Sequence, residues 1–436
     1  MKFGSFSPGL KAPALHALRA DDIPMYFDMD NLTPKQAADF KESNVIGSML
    51  QTCLMGISKP EDYIAVFNEV MQPPFDNVAK RYNAMMQKIG LPVVPLDHLI
   101  PVPIETFYEH VADNLPDVEI VDFMMVSSAN EFLHGSKEAV EVILKLNSKF
   151  HFAENAPSFD IPVPESLAVT PPLANQVEVE SLFSRHNNQI IMKLDGMPGG
   201  RNVSPVSSVA EADDLLAEVY PGATEVVLQQ RLNLQDYEEW TVDLLVSDNA
   251  ITVDNTRHIL LSDGNWVGNH IPPAFPLTSE QKAVLINVGK YAQSFGFGTA
   301  EGSNLGIDYF IGKDNSIIVT EINPRWTAGL LPSEVLKRVG TIDQHTIAYF
   351  DLIKLDDYAQ YLDYVEQRLP GTRDGSFDVI PIGFSPFPLD MEGTDMCYVW
   401  LVIRGDFAAY REEVQAQFTS ANFPVAAQIP IADLDL

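Results

Sequence analysis

Asp308, Glu321 and Asn323 are spaced so that three oxygen ligands converge if the chain between them folds back once. The apolar residues in Gly306-Ile307-Asp308-Tyr309-Phe310-Ile311-Gly312 and in Ile317-Ile318-Val319-Thr320-Glu321-Ile322-Asn323 read as two strands. A two-residue turn at Asp314-Asn315 would set Asp308 directly opposite Glu321. Side chains alternate faces along a strand, so Asn323 joins Glu321 on the same side. Carboxylates facing each other repel unless a cation lies between them, and hard oxygen ligands suit Mg²⁺ or Mn²⁺ completed by nucleotide phosphates. The spacing predicts a metal-nucleotide site; the plainer alternative is a solvated hairpin with scattered acids.

Other residues could serve the same chemistry. Lys149 follows Asn147-Ser148, and Lys193 ends Ile190-Ile191-Met192-Lys193-Leu194 just ahead of Gly196-Met197-Pro198-Gly199-Gly200-Arg201. A lysine at the end of a buried strand, beside paired glycines, combines a point charge with exposed backbone N–H donors, the two devices that hold phosphate oxygens. The glycines could equally just turn the chain. Arg325, immediately past the ligands, is a candidate catalytic residue for steadying a transferring phosphoryl group or holding a carboxylate, with a surface ion pair as its alternative. Arg257, within Asp254-Asn255-Thr256-Arg257-His258, is the second candidate. His258 and His270 are set aside, because a lone histidine is more often packed than catalytic.

These residues need a framework, and the chain is long enough to supply one. Its 436 residues are 46% hydrophobic, which allows two to four domains with ample core. With 28 basic against 60 acidic side chains, the formal charge of -32 argues against a nucleic-acid partner but not against a nucleotide held by a few local cations. Cys53 and Cys397 stand far apart outside any CxxC pattern, so neither disulfides nor zinc are indicated and the compartment is expected to be reducing. No segment reads as a signal peptide or a membrane span, which makes the expected location cytoplasmic.

Along residues 1 to about 140, strand patterns at 92–95 and 118–126 alternate with helical ones such as Pro60 to Met71, which suggests a small α/β domain. A helix is expected at 137–146, short strands at 159–165 and 190–194, and a capped helix from Ser208. Strands follow at 226–228 and 240–246. A helix capped by Thr278 presents Val284, Leu285, Val288, Tyr291 and Ala292 at core spacing. The tail from about 370 reads as α+β.

The succession of Lys149, Lys193 with its glycine loop, Leu228-Gln229-Gln230-Arg231-Leu232, Glu239-Trp240-Thr241-Val242 and the Asp308–Asn323 block followed by Pro324-Arg325 resembles an ATP-grasp ligase, over roughly residues 145 to 340. The resemblance implies an α+β, ATP-grasp fold: a domain at 141–350 whose two α+β lobes, about 141–228 and 229–350, surround the nucleotide. An N-terminal α/β pre-ATP-grasp domain at 1–140 would precede it and a small C-terminal α+β appendage at 351–436 would follow. It implies ATP, with two divalent cations on Asp308, Glu321 and Asn323. Lys149 and Lys193 would contact its phosphates or purine edge, and Gly199 and Gly200 would line the phosphate loop. Gln229 and the Leu232 backbone would meet adenine, and Glu239 the ribose hydroxyls.

The implied reaction joins a small-molecule carboxylate to an amine, amino acid or peptide, through an acylphosphate, releasing ADP and phosphate. The composition of the tail is similar to that of stand-alone peptide ligases of the pheganomycin type, and a homodimer is compatible with all of this. There are departures: Gly199-Gly200-Arg201-Asn202 carries fewer glycines than many relatives, and Gln229 stands where an acid is frequent. A kinase-like phosphotransferase and a non-catalytic nucleotide-binding regulator would keep the same ligands. A Rossmann reading of Gly296-Phe297-Gly298 fails because a helical pattern, rather than a strand, precedes it.

Overall fold

The computed structural model describes residues 2–4, 13–19, 29–73, 75–195, 203–220, 222–223, 225–262, 265–273, 277–300, 302–340, 345–372 and 375–420. Its three sheets use consecutive stretches of chain. The first is parallel and contains β1 (Lys2–Gly4), β2 (Ala14–Ala17), β3 (Tyr63–Phe67), β4 (Leu99–Val102) and β5 (Ile120–Phe123), in the order β1-β5-β2-β3-β4. The second is antiparallel: β6 (Ser166–Val169), β7 (Ile190–Lys193), β8 (Val203–Val206) and β9 (Val226–Gln230), ordered β6-β9-β7-β8.

The third sheet is the large one. It holds β10 (Tyr237–Val246), β11 (Ile251–Ser262), β12 (Asn265–Ile271), β13 (Ser303–Gly312), β14 (Ile317–Asn323), β15 (Thr346–Lys354), β16 (Phe377–Phe384), β17 (Leu389–Met391) and β18 (Thr394–Gly405). They run β14-β13-β10-β11-β12-β15-β18-β16, with β17 beside β18. The tail, expected from sequence as an appendage, lends its strands to this sheet, because β18 pairs along the whole length of β15. Among the described residues no helix is long and apolar enough to cross a membrane.

Two local expectations fail in the first sheet. The stretch Pro60 to Met71 is not helical: Tyr63–Phe67 is a strand, and a short 3-10 turn follows at Asn68–Met71. Ile64, Ala65, Val66 and Phe67 are wholly buried, and a short apolar run buried on both faces has no period that separates strand from helix. Residues 92–95 form no strand either, and β4 lies a few residues later. Residues 159–165 also form none; the Ala156–Phe159 3-10 turn ends there and β6 begins at Ser166. The Pro34–Ile57 helix, absent from the sequence reading, begins with Thr33 and Gln36 in a reciprocal capping box and with Pro34 at its first position.

That helix packs against β3 and also against β16, joining the beginning of the chain to its end. Thr52 Oγ1 both donates to Phe384 O and accepts from Phe384 N, and Tyr82 Oη donates to Ile382 O. A Cβ on Gly383 would come within 2.5 Å of Cys53 Sγ, so the approach requires glycine.

On β2, His16 is buried between two carboxylates, with Nε2 3.3 Å from Asp62 Oδ2 and Nδ1 3.2 Å from Asp122 Oδ2. Burial alone would depress the imidazole, but hydrogen bonds and charge from Asp122 and Asp62 outweigh it and raise His16 to about 9. Burial also holds Asp122 above the usual carboxylate range; at Asp62 burial pushes the same way, but His16 prevails and lowers it. A raised histidine stabilises the fold fully below its unfolded value of 6.5, and that contribution disappears as pH rises through about 9. Urea midpoints should therefore fall between these two pH values, and His16→Gln should flatten the decline; an equal decline in the variant would refute the charged triad.

One face of the large sheet decides where chemistry can occur. Trp240, Val242 and Leu244 of β10 and Ile307 and Tyr309 of β13 are buried with Leu285, Val288 and Tyr291 of the Ser279–Ser294 helix. That helix has the capping box expected at Thr278 and Gln281. Residues of opposite parity, Glu239, Thr241, Asp243 and Asp308, therefore share the other face.

Candidate functional site

The hairpin brings the three predicted ligands together, but not by the expected turn. Gly312 N bonds to Ser316 O and Asn315 N to Gly312 O, which closes a three-residue loop with Asn315 left-handed at φ 64°. The extra loop residue shifts the register by one: Ile311 faces Ile317, Phe310 faces Ile318 and Tyr309 faces Val319. An irregularity past Tyr309 then shifts it back, so Asp308 faces Glu321 and Gly306 faces Asn323. Gly306 leaves room there, because a Cβ would lie 2.1 Å from Thr327 Cγ2.

Asn323 Nδ2 donates to Asp308 Oδ2 at 3.3 Å, and Arg325 Nη2 donates to Asn323 Oδ1 at 2.9 Å. Arg325 is buried beside the ligands, where a surface ion pair would not be. Burial, then the charge of Glu321, raises Asp308 to about 6, against a Thr241 hydrogen bond and the charges of Arg325 and Arg257. Burial would also raise Glu321, but Lys149 and Lys193 outweigh it and lower that carboxyl. Two opposed carboxylates, one of them protonating near neutrality, form the kind of donor set that a divalent cation relieves. Turning the Asn323 amide about its last torsion would bring its oxygen to that point. Among the described residues no three His, Cys, Asp or Glu side chains gather in a metal-holding group; this set is two carboxylates and an amide.

Cations from the preceding stretch of chain face this cluster. Lys149, at the start of the Lys149–Asn155 helix capped by Ser148, lies 3.2 Å from Glu321 Oε1. Its backbone N donates to Asp195 Oδ1 at 2.6 Å. Lys193 is buried at the end of β7, and its Nζ donates to Thr320 O at 3.1 Å. Desolvation lowers its pKa against the pull of Glu321. Gly199 and Gly200 lie outside the described residues.

Glu239 shares the face of Asp308, and burial, then the charge of Asp308, raises it to about 7. Gln229 on β9 is buried, with Nε2 donating to Ser166 Oγ at 2.9 Å. Leu232 is half-buried in the loop that leads from β9 to β10.

Arg257 is fully buried and committed to Asp243. Its Nη1 donates to Asp243 Oδ2 and to Asn255 O, both at 2.7 Å, while Thr327 Oγ1 donates to Asp243 Oδ1 at 2.8 Å. Gly329 packs so closely that a Cβ would meet Arg257 Nε at 2.4 Å. This pair braces the turn after Arg325. Trp326 N, in that turn, donates to Met124 O just past β5, so the first sheet abuts the site. Thr241, Asp243 and Thr320 were missed in the sequence; alternation from Glu239 along β10 would have found Thr241 and Asp243. His258 and His270 pair with each other across β11 and β12, and His258 faces Trp240, on the side away from Asp308. His270 Nε2 lies 2.9 Å from His345 Nδ1, and burial lowers His270 to about 4.

No family model matches the chain, and no curated protein does. Solved structures do. The N5-carboxyaminoimidazole synthetase from Staphylococcus aureus in complex with ADP matches with TM-score 0.54 at 13% identity, covering 96% of this chain and 98% of that one. Phosphoribosylamine–glycine ligase from Thermotoga maritima matches with TM-score 0.53 at 12% identity, covering 94% and 97%. An L-amino acid ligase from Bacillus licheniformis matches with TM-score 0.52 at 12% identity, covering 94% and 98%. At such identities the likeness concerns the fold, and the fold is ATP-grasp over nearly the whole chain.

Proposed function

We propose that this protein is an ATP-dependent ligase that joins a small carboxylate to an amine. One observation carries the proposal: Asp308, Glu321 and Asn323 meet on one sheet face, and Lys149 and Lys193 reach them from the elements before that sheet. The synthetase of the same fold solved with ADP supports a nucleotide as the ligand.

In the proposed reaction the substrate carboxylate oxygen attacks the γ phosphorus of ATP, forming an acylphosphate as the bond to ADP breaks. The amine nitrogen then attacks the acyl carbon, loses a proton, and phosphate leaves with the electrons of the broken C–O bond. The chain supplies position and charge without a covalent protein intermediate. Lys149 and Lys193 hold phosphate oxygens, Arg325 steadies the transferring group or the carboxylate, and Arg257 keeps the turn after Arg325 in place. Gln229, Leu232 and Glu239 line the purine and ribose side, and Gly199 and Gly200 complete the phosphate loop. Mg²⁺ or Mn²⁺ would be held by Asp308, Glu321 and Asn323, and when bound it neutralises phosphate charge.

The narrower forms of the proposal are an amino-acid or peptide substrate, a peptide ligase of the pheganomycin type, a cytoplasmic location and a homodimer. Amino acids and short peptides should be screened in pairs for stimulated phosphate release, with mass spectrometry of the products. An amide formed only when both partners are present is the expected result. A stable phosphorylated product would indicate a phosphotransferase instead, and ATP binding without any ADP would indicate a regulator; either overturns the ligase proposal.

A further inference from the structure

The hairpin contains one residue more than its ladder needs. Val319 faces Tyr309 and Glu321 faces Asp308, so Thr320 stands opposite no residue of β13 in the ladder. Were Thr320 absent, Glu321 would follow Val319 directly and would still face Asp308, with Asn323 still on the same face. A strand one residue shorter would therefore oppose the carboxylates without any bulge. Bulges beside functional sites persist for what they re-aim, and this one aims a carbonyl. Lys193 Nζ donates to Thr320 O at 3.1 Å, and Thr320 Oγ1 donates to Asp308 O at 3.1 Å, which pins the bulge to the strand that carries the ligand. Lys193 belongs to the four-stranded sheet and Thr320 to the large one, so the bond ties the two sheets together at the site. A lysine ammonium ends a flexible four-carbon stem, and a fixed acceptor for one of its three N–H groups orients the other two.

We propose that Thr320 is a positioning residue whose bulged carbonyl holds the Lys193 ammonium so that its remaining donors meet a nucleotide phosphate. The proposal rests on Lys193 contacting nucleotide, as argued above, and it assigns a purpose to a residue that neither spacing nor fold singles out.

Deleting Thr320 tests it, because the deletion keeps Glu321 opposite Asp308 while removing the carbonyl. Binding of ATP with Mg²⁺ would be measured by calorimetry for the wild type, the deletion, Lys193→Met and the combination, with folding followed by circular dichroism. The deletion should weaken ATP binding about tenfold or more, as expected for losing a hydrogen bond to a charged group. In the Lys193→Met background it should cost less than about twofold, since the group it positions is gone. Should the deletion fail to fold, Thr320→Gly loosens the same carbonyl and runs through the same cycle. An unchanged affinity, or a cost that adds in full to that of Lys193→Met, overturns the positioning role while leaving the nucleotide reading intact. A wild type that binds no ATP overturns both.

Discussion

Asp308→Asn should leave the protein folded, and no less heat-stable without Mg²⁺, while lowering ATP-dependent turnover by on the order of a hundredfold or more. The two halves of this expectation have one cause. Burial and Glu321 raise Asp308 to about 6, so above that pH its charge costs stability in the absence of a counter-ion. An amide of the same shape removes that cost and can still accept from Thr241 and Asn323. What it cannot supply is anionic charge to a cation bridging phosphates. Thermal melts with and without Mg²⁺ and ATP, together with ADP release, separate the effects: the wild type should gain stability from the ligands and the variant should gain little. Turnover retained within about threefold of wild type, well short of the loss expected for a metal carboxylate, would rule out Asp308 as a ligand.

Arg257→Met should be among the most damaging substitutions for stability, by about 3–5 kcal/mol, since it strands a buried carboxylate. Arg257 is wholly inaccessible and Asp243 is 1% exposed, so no water can replace the guanidinium. Exchanging the pair together, Arg257→Met with Asp243→Leu, should recover part of the loss, because a buried ion pair replaced by apolar groups of similar volume is often nearly neutral. Recovery should stay incomplete, since Thr327 would lose the acceptor it finds in Asp243. Urea denaturation of the three variants provides the test. A loss below about 1 kcal/mol for Arg257→Met, as expected of an exposed pair, would show that this guanidinium braces nothing.

Opposition of Asp308 and Glu321 was legible in the sequence because strand alternation depends only on residue count. It survived a misread turn, since the longer loop and the bulge at Thr320 offset each other in register. Nothing local in Lys313-Asp314-Asn315-Ser316 marks a three-residue loop over a two-residue one, and no propensity marks Thr320 as a bulge. Lys149 and Lys193 were visible through their neighbours, whereas the service of Arg257 to Asp243 depends on a pairing between β10 and β11 that no short window contains. Tyr63–Phe67 was misread for a different reason: buried on both sides, it lacks the polar positions that reveal a period.

The contact between the Pro34–Ile57 helix and β16 bears on how the protein is made. Segments emerging first from the ribosome usually fold first. Here Thr52 and Tyr82 bond to Phe384 and Ile382, 332 and 300 residues later. Until residues 377–384 have been made, the part of that helix which meets β16 lacks its covering, and a nascent chain stopped short of them would present it to chaperones and proteases.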